Sequence, residues 1–166
     1  MAKIQIREGL FETNSSSVHA MSVFTKKDGN YNIPEKIKIN LNDYEFGWQQ
    51  DTFYDDTESK VAYLYLLAEN CGGDTTKRIE ALLMTAGVKE VIVVNETNGK
   101  WSFGGYIDHS SEKEDFLLHL LDNPDLFNDF VFNPKSYIET GNDNVWEDES
   151  MPSPDPQADY GFCGGN

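Results

Sequence analysis

Residues 3–25 read KIQIREGLFETNSSSVHAMSVFT, and they predict the first pair of strands in the fold together with a polar connection between them. Residues 3–7 alternate between apolar and polar side chains with a period of two, which predicts a β-strand. Residues 17–25 are mostly apolar and predict a second strand, so that the two would pair as neighbours. Between them, residues 13–17 are small and polar. Because an unpaired buried polar group costs about 1–3 kcal/mol, these side chains must find backbone or ligand partners.

The composition limits the classes of function. A chain of 166 residues is the size of one domain with a sizeable core. Its 29 acidic and 13 basic residues give a formal net charge of −16. This balance opposes direct binding to nucleic acid, because phosphate contacts require Lys and Arg, and it favours basic protein partners or imitation of nucleic acid. No apolar run reaches the roughly 18 residues of a spanning helix, so no membrane association is expected.

The middle of the chain predicts strands and a pair of helices. Residues 36–41 alternate as a strand does. Residues 44–54 carry aromatic side chains without a single period, which fits either a segment folded over the core or an aromatic binding wall. One helix begins at residues 55–57 and ends at Gly72-Gly73, and a second runs from Asp74 to Gly87. Their short connection favours an antiparallel pair.

The second half predicts a hairpin, two more helices and a tail. Residues 88–94 form a β-branched strand, and the Asn98-Gly99 turn predicts an antiparallel return over residues 101–107. A third helix follows Ser111, then a short one around residues 126–131, and a last strand starts at Tyr137. The predicted fold is therefore α+β, with an antiparallel or mixed sheet and helices packed on one side. We assign residues 1–140 to one globular domain and residues 141–166 to an acidic, proline-containing tail.

The polar run after the first strand is the leading candidate site. Hydroxyl and backbone N–H groups of Asn14, Ser15, Ser16 and Ser17 in a turn can hold a phosphate or carboxylate. Ser17 and His19 lie two residues apart, so in a strand both belong to one face, and they form half of a nucleophilic arrangement. The alternative is ordinary turn and capping chemistry, since Asn and Ser readily bond neighbouring backbone.

Two further polar stretches are secondary candidates. Asp108 and His109 sit where a strand ends and a helix begins, although adjacent strand residues face opposite ways. Asp143 follows Gly141 in what is by default a turn. His19, His109 and Asp143 would form a His-His-carboxylate set if they converged, but no spacing requires it, so neither a metal nor another cofactor is predicted. The two cysteines, Cys71 and Cys163, show no metal spacing, which favours a reducing cytoplasm.

These stretches also carry a resemblance. Arg7, Gly9 and residues 11–19 resemble the opening of an uncharacterised family of small bacteriophage and bacterial proteins, with the pattern Arg-x-Gly-x-Phe-Glu-Thr-Asn-Ser-Ser-Ser-x-His. Residues 106–110 and 137–144 are similar to later parts of that family. The resemblance implies a phage-type origin, the host cytoplasm as location and a site at the N-terminal motif, but no reaction.

The sequence is compatible with two functions. In the first, the chain is a phage-type accessory protein whose polar site takes a phosphate-bearing or nucleotide-like small molecule, with Arg7 as the anion contact. Ser17, His19 and His109 would be the catalytic residues of a hydrolysis or group transfer. In the second, the chain is a non-enzymatic acidic protein that binds and inhibits a basic host protein. Whether it is an enzyme is therefore undecided.

Overall fold

The computed structural model describes residues 3–8, 17–26, 28–47, 52–95, 105–107 and 114–142. Its strands are β1 (Lys3–Glu8), β2 (Ser17–Phe24), β3 (Lys36–Asn40), β4 (Glu45–Phe46), β5 (Thr52–Tyr54), β6 (Glu90–Val94), β7 (Tyr106–Ile107) and β8 (Tyr137–Asn142). Its helices are α1 (Thr57–Cys71), α2 (Thr75–Ala86), α3 (Glu114–Asp122) and α4 (Pro124–Val131), and a short 3-10 helix covers Leu41–Asp43. These elements form the predicted single α+β domain.

A four-stranded antiparallel sheet holds the N-terminal stretch. The strand order is β1-β2-β8-β5, so β2 and β8 are central and β1 and β5 lie at the edges. The predicted pairing of the first two strands is confirmed, with Lys3 opposite Phe24 and Glu8 opposite His19. The last strand along the chain thus pairs with the second, and no local sequence pattern predicts this pairing.

Helix α1 is the centre of the core. Residues 59–68 are all buried, as expected for a helix surrounded by other elements rather than lying on a surface. It begins at Asp56, whose carboxylate accepts from the Ser59 backbone N–H at 2.7 Å, and it ends at Gly72 with a φ of +64°. On one side the Tyr63 hydroxyl lies 3.5 Å from the sulfur of Met21 in β2.

The aromatic segment before α1 folds over this core. The Phe46 ring is fully buried and packs edge-on against Tyr54 and Tyr63, with centroids 4.7 and 4.9 Å away. Tyr44 stacks on Phe46 at 5.9 Å. For these residues the first of the two interpretations is correct, whereas Trp48 lies outside the described residues.

The remaining helices match their predicted places. Helix α2 ends at Gly87, α3 buries Phe116, Leu117, Leu120 and Leu121, and α4 starts at Pro124. Asp74 precedes α2, but its side chain makes no capping hydrogen bond. None of the described helices combines the length and hydropathy needed to cross a bilayer.

Two parallel strand pairs correct the predicted hairpin. Strand β6 pairs in parallel with β3, and β7 pairs in parallel with β4. Residues 96–104, which include the Asn98-Gly99 turn, lie outside the described residues, but the described ends of the expected hairpin pair with other strands. Gly105 permits the second pairing, because an added Cβ would collide with the Leu41 carbonyl oxygen.

The sheet also runs slightly beyond the expected domain boundary. Gly141 and Asn142 belong to β8 and pair with Val18 and Ser17. Residues 143–166 lie outside the described residues, so the acidic tail remains a prediction.

Candidate functional site

Two of the three polar stretches are brought together by the sheet. The register of β2 and β8 sets Ser17 opposite Asn142 and His19 opposite Thr140. The last residues of the N-terminal motif, 17–19, and residues 137–142 therefore lie on neighbouring strands, although more than a hundred residues separate them along the chain. The sequence suggested each stretch separately and could not show that they meet.

The sheet changes from apolar to polar toward this end. One row across it consists of Ile6, Met21, Ile138 and Tyr54, and Met21 and Ile138 are completely buried. The next row consists of Glu8, His19, Thr140 and Thr52. Thr140 is only 1% exposed, so this polar row also borders the interior. A fully polar row beside a buried apolar one marks the Ser17 end of β2 as the candidate site.

Arg7 occupies a different row. It pairs with Ala20, which in turn pairs with Glu139. Because strand residues alternate between the two faces, positions 7 and 20 belong to the opposite face of the sheet from positions 8 and 19. The backbone register thus does not group Arg7 with His19, and the role of Arg7 as the anion contact of the polar site stays a prediction.

The third stretch approaches the sheet from the side of β5. Ile107 pairs with Phe46, whose ring packs on Tyr54, and Tyr54 pairs with Ile138 of β8. Asp108 and His109 follow immediately but lie outside the described residues, as do Asn14, Ser15, Ser16 and Asp143. The described residues therefore do not test whether His19, His109 and Asp143 converge.

A second polar region lies at the opposite end of β2, and sequence reasoning missed it. Its centre is Lys60 of α1, which is 1% exposed. The Lys60 ammonium donates to the backbone carbonyls of Asn133 at 2.9 Å and Ser136 at 3.1 Å, in the turn between α4 and β8. Burial lowers the pKa of Lys60 to about 8, against the opposing effect of the nearby Asp55 and Asp56 carboxylates.

The same turn is tied to the end of β2 by side chains. The buried Ser136 hydroxyl accepts from the Phe24 N–H at 2.9 Å and donates to the Asp129 carbonyl at 2.6 Å. The Asn133 amide donates to the Phe24 carbonyl at 2.6 Å. We call Lys60, Asp129, Asn133 and Ser136 the turn cluster.

A tyrosine completes the turn cluster from outside. The Tyr31 hydroxyl donates to the Asp129 carboxylate, which also accepts from the Lys26 N–H at 3.4 Å. Burial, together with the Asp129 charge, raises the pKa of Tyr31 above its ordinary range. These hydrogen bonds fasten the turn between α4 and β8 to α1 and to the end of β2.

The turn cluster escaped prediction for a physical reason. A lysine at the start of a helix is usually solvated, and Asn133-Pro134 is an ordinary helix stop. The only local hint is that Lys60 directly precedes a run of buried apolar residues, 61–68.

Two other features carry no site. Among the described residues no group of three or more His, Cys, Asp or Glu side chains could hold a metal ion. The pKa of the Cys71 thiol is raised by burial and by the Glu114 charge, which makes it a poor nucleophile.

Comparison of the chain with protein-family models, with curated proteins and with solved structures gives no match. The resemblance of the N-terminal motif to a phage family therefore stays a prediction.

Proposed function

We propose that this chain is a phage-type accessory protein with a polar site for a phosphate-bearing small molecule at the Ser17 end of β2. The observation that carries the proposal is the register that pairs Ser17 with Asn142 and His19 with Thr140. It brings hydroxyl, amide and imidazole residues of two separate motifs onto adjacent strands. Such groups, with backbone N–H donors from residues 14–16, for which the sequence predicts a turn, are those that bind phosphate oxygens.

The site has the residues for a reaction as well as for binding. In this proposal His19 is the general base or general acid. Ser17 is either the nucleophile or a hydrogen-bond donor to the phosphate. Thr140 and Asn142 join the site as residues that the sequence alone did not assign. His109 and Asp108 complete it if the segment after β7 reaches the same end of the sheet.

The test measures binding of inorganic phosphate and of a nucleoside monophosphate to the full chain, with calorimetry and ³¹P NMR as the two readouts. We expect saturable binding that His19→Ala and Ser17→Ala each weaken at least about tenfold, since each removes a hydrogen bond to a charged group. His119→Ala and Ser22→Ala are the matched controls, because His119 lies exposed on α3 and Ser22 lies near the other end of β2.

A structural role for the motif predicts a different result. In that case His19→Ala and Ser17→Ala would lower the melting temperature, and neither phosphate nor nucleotide would bind the unmodified chain. That outcome would refute the ligand site.

The second candidate is a binding module for a basic host protein, and one observation favours it. Five acidic residues lie close together in the sequence around Tyr44 and at the start of α1: Asp43, Glu45, Asp55, Asp56 and Glu58. The pKa of Tyr44 is raised by burial and by the charges of Asp56, Glu58 and Asp43, so the negative potential of these carboxylates acts on the Tyr44 hydroxyl. Such a concentration of negative charge would speed association with a basic surface.

Salt dependence separates this candidate from the first. A basic partner captured from host lysate at low salt should be lost as the ionic strength rises, because exposed charges are screened. Replacing Asp55 and Glu58 by Asn and Gln should weaken capture, whereas Glu80→Gln on α2 should not. Capture that is insensitive to salt, or equal for both variants, would contradict the proposal.

A further inference from the structure

The two faces of the four-stranded sheet have different neighbours. The row that contains Met21 lies against α1, since the Met21 sulfur meets the Tyr63 hydroxyl. Strand residues alternate between faces, so the neighbouring positions of β2, β8 and β5 belong to the other face, which we call the outer face: Ala20, Ser22, Tyr137, Glu139 and Phe53. Ala20 and Ser22 at its centre are buried, so the outer face is not open to water throughout.

An aromatic pair lies at the rim of the outer face. The rings of Phe53 and Tyr137 meet edge to face, with centroids 5.4 Å apart. Phe53 is nevertheless 43% exposed, and it belongs to the edge strand β5. Aromatic rings in such contacts gain free energy beyond their buried area, so the pair provides a contact for a further aromatic ring.

The charge of the outer face changes along β8. Glu139 lies level with Phe53, whereas Lys135 precedes Tyr137 by two residues and is exposed. Among the described residues the Lys135 ammonium forms no ion pair. An occupant that matches this order has an aromatic side chain at Phe53 and carboxylates farther along, toward Lys135.

The C-terminal segment of the chain, residues 143–166, has this order and starts at the right place. It continues directly from Asn142 of β8, and in it Trp146 is followed by three acidic residues, 147–149. At about 3.4 Å per strand residue, Phe53 is about 10 Å from the level of Asn142, and Trp146 is within about 14 Å of it. Both edges of β8 are occupied by β2 and β5, so a segment that turns back has the faces of the sheet available and not the edges of β8.

We propose that the outer face is the docking surface of the chain's own residues 143–166, with Trp146 on the Phe53–Tyr137 pair and the carboxylates of residues 147–149 near Lys135. Gly141 and the Asn-Asp-Asn run of residues 142–144 favour the reversal of direction that this requires. The docking does not depend on the phosphate site, because Phe53 and Glu139 belong to the opposite face of the sheet from His19.

The test is ¹⁹F NMR of the full chain labelled with 5-fluorotryptophan. With three tryptophans in the sequence, Trp146→Phe assigns the Trp146 signal by its disappearance. The displacement of this signal between H₂O and D₂O falls as the indole leaves water. We expect it to be well below the value in the urea-unfolded chain. Equal values would overturn the docking, and this comparison does not depend on the folding of any variant.

Variants of Phe53 test the place of docking. Phe53→Ala should lower the ratio of docked to undocked segment about five- to tenfold, because the ring contact and its burial are lost. Phe53→Leu keeps an apolar strand residue and should lower the ratio at least about twofold, which preserves the test if Phe53→Ala does not fold. Met84→Ala is the matched control, since Met84 is similarly exposed but lies on α2, and it should change nothing. A protected Trp146 that neither Phe53 variant releases, or that Met84→Ala releases equally, would overturn the proposal.

The charge contact and the identity of the occupant have their own tests. Lys135→Gln should lower the docked ratio about twofold at low salt and have no effect at about 0.5 M salt, because exposed charges are screened. Lys77→Gln is its control, since Lys77 already pairs with Asp74. Equal effects of the two lysine variants would overturn the contact with Lys135. Protection of Trp146 that rises with protein concentration would assign the outer face to a second copy of the chain and overturn intramolecular docking.

Discussion

The two ends of strand β2 both adjoin polar residues, but they are identified by different observations. At the Phe24 end, the backbone N–H and carbonyl of Phe24 bond to Ser136 and Asn133. At the Ser17 end, Ser17 and His19 pair with the polar strand positions Asn142 and Thr140. Hydrogen bonds between named groups give the first end a structural role. The second end is a candidate site because the register joins two stretches that the sequence marks independently.

The largest expected effect comes from breaking the turn cluster. Ser136 is fully buried, and its hydroxyl joins the Phe24 N–H to the Asp129 carbonyl. Ser136→Ala removes both hydrogen bonds, which we expect to lower the free energy of unfolding by about 2–4 kcal/mol, since deleting one partner of such a hydrogen bond costs about 1–3 kcal/mol. Urea denaturation of the two proteins measures the loss.

Ser22→Ala is the matched control for that variant. Ser22 is a second fully buried serine, but its hydroxyl has no hydrogen-bond partner among the described residues. Removing it should leave the free energy of unfolding unchanged or raise it by up to about 1 kcal/mol, because an unpaired buried hydroxyl is a cost. Equal losses from the two variants would mean that the volume of the serine matters and the bonds of Ser136 do not.

A smaller effect should appear in the pH dependence of stability. The pKa of Lys60 is lowered to about 8 in the folded chain from its ordinary 10.5. Between these values the unfolded chain binds a proton that the folded chain does not, so the free energy of unfolding should rise with pH. Above about pH 10 the trend should reverse, because the pKa values of Tyr31 and Tyr65 are raised by burial and the folded chain then retains protons that the unfolded chain loses.

Thermal unfolding at half-unit steps from pH 7 to pH 10.5 measures this curve. In Lys60→Met the rise above pH 8 should disappear, while Lys89→Met should keep it, because Lys89 is an exposed lysine paired with Glu35. A rise that persists in Lys60→Met would assign the titration to another group.

Local signals predicted most elements of the fold but not their partners. The alternation in β1 and β3 and the helix boundaries at Asp56, Gly72 and Gly87 are encoded within a few residues, and the structure has them there. Strand partners depend on tertiary packing. The Asn98-Gly99 turn favoured a local hairpin, yet β6 pairs with β3, more than fifty residues earlier, because α1 and α2 supply a crossover between parallel strands.

The candidate site was predictable to a similar degree. The cluster of polar residues before His19 is visible in the sequence because its members are adjacent. Glu8, Thr140 and Asn142 were not identified, since only the register of the sheet sets them beside His19 and Ser17. Lys60 was missed because its two acceptors are carbonyls 73 and 76 residues away.

The central place of β8 also sets the order in which the molecule can be completed during synthesis. Strands β1 and β2 emerge first, but β2 must wait until residues 137–142 have been made before its second edge is covered. At a translation rate of about 5–20 residues per second, that edge is open for several seconds on every ribosome. This edge carries residues that are buried in the folded chain, such as Met21 and Val23. An uncovered strand edge of this kind can pair with other nascent chains. The topology thus ties the yield of native protein to chaperone access during those seconds.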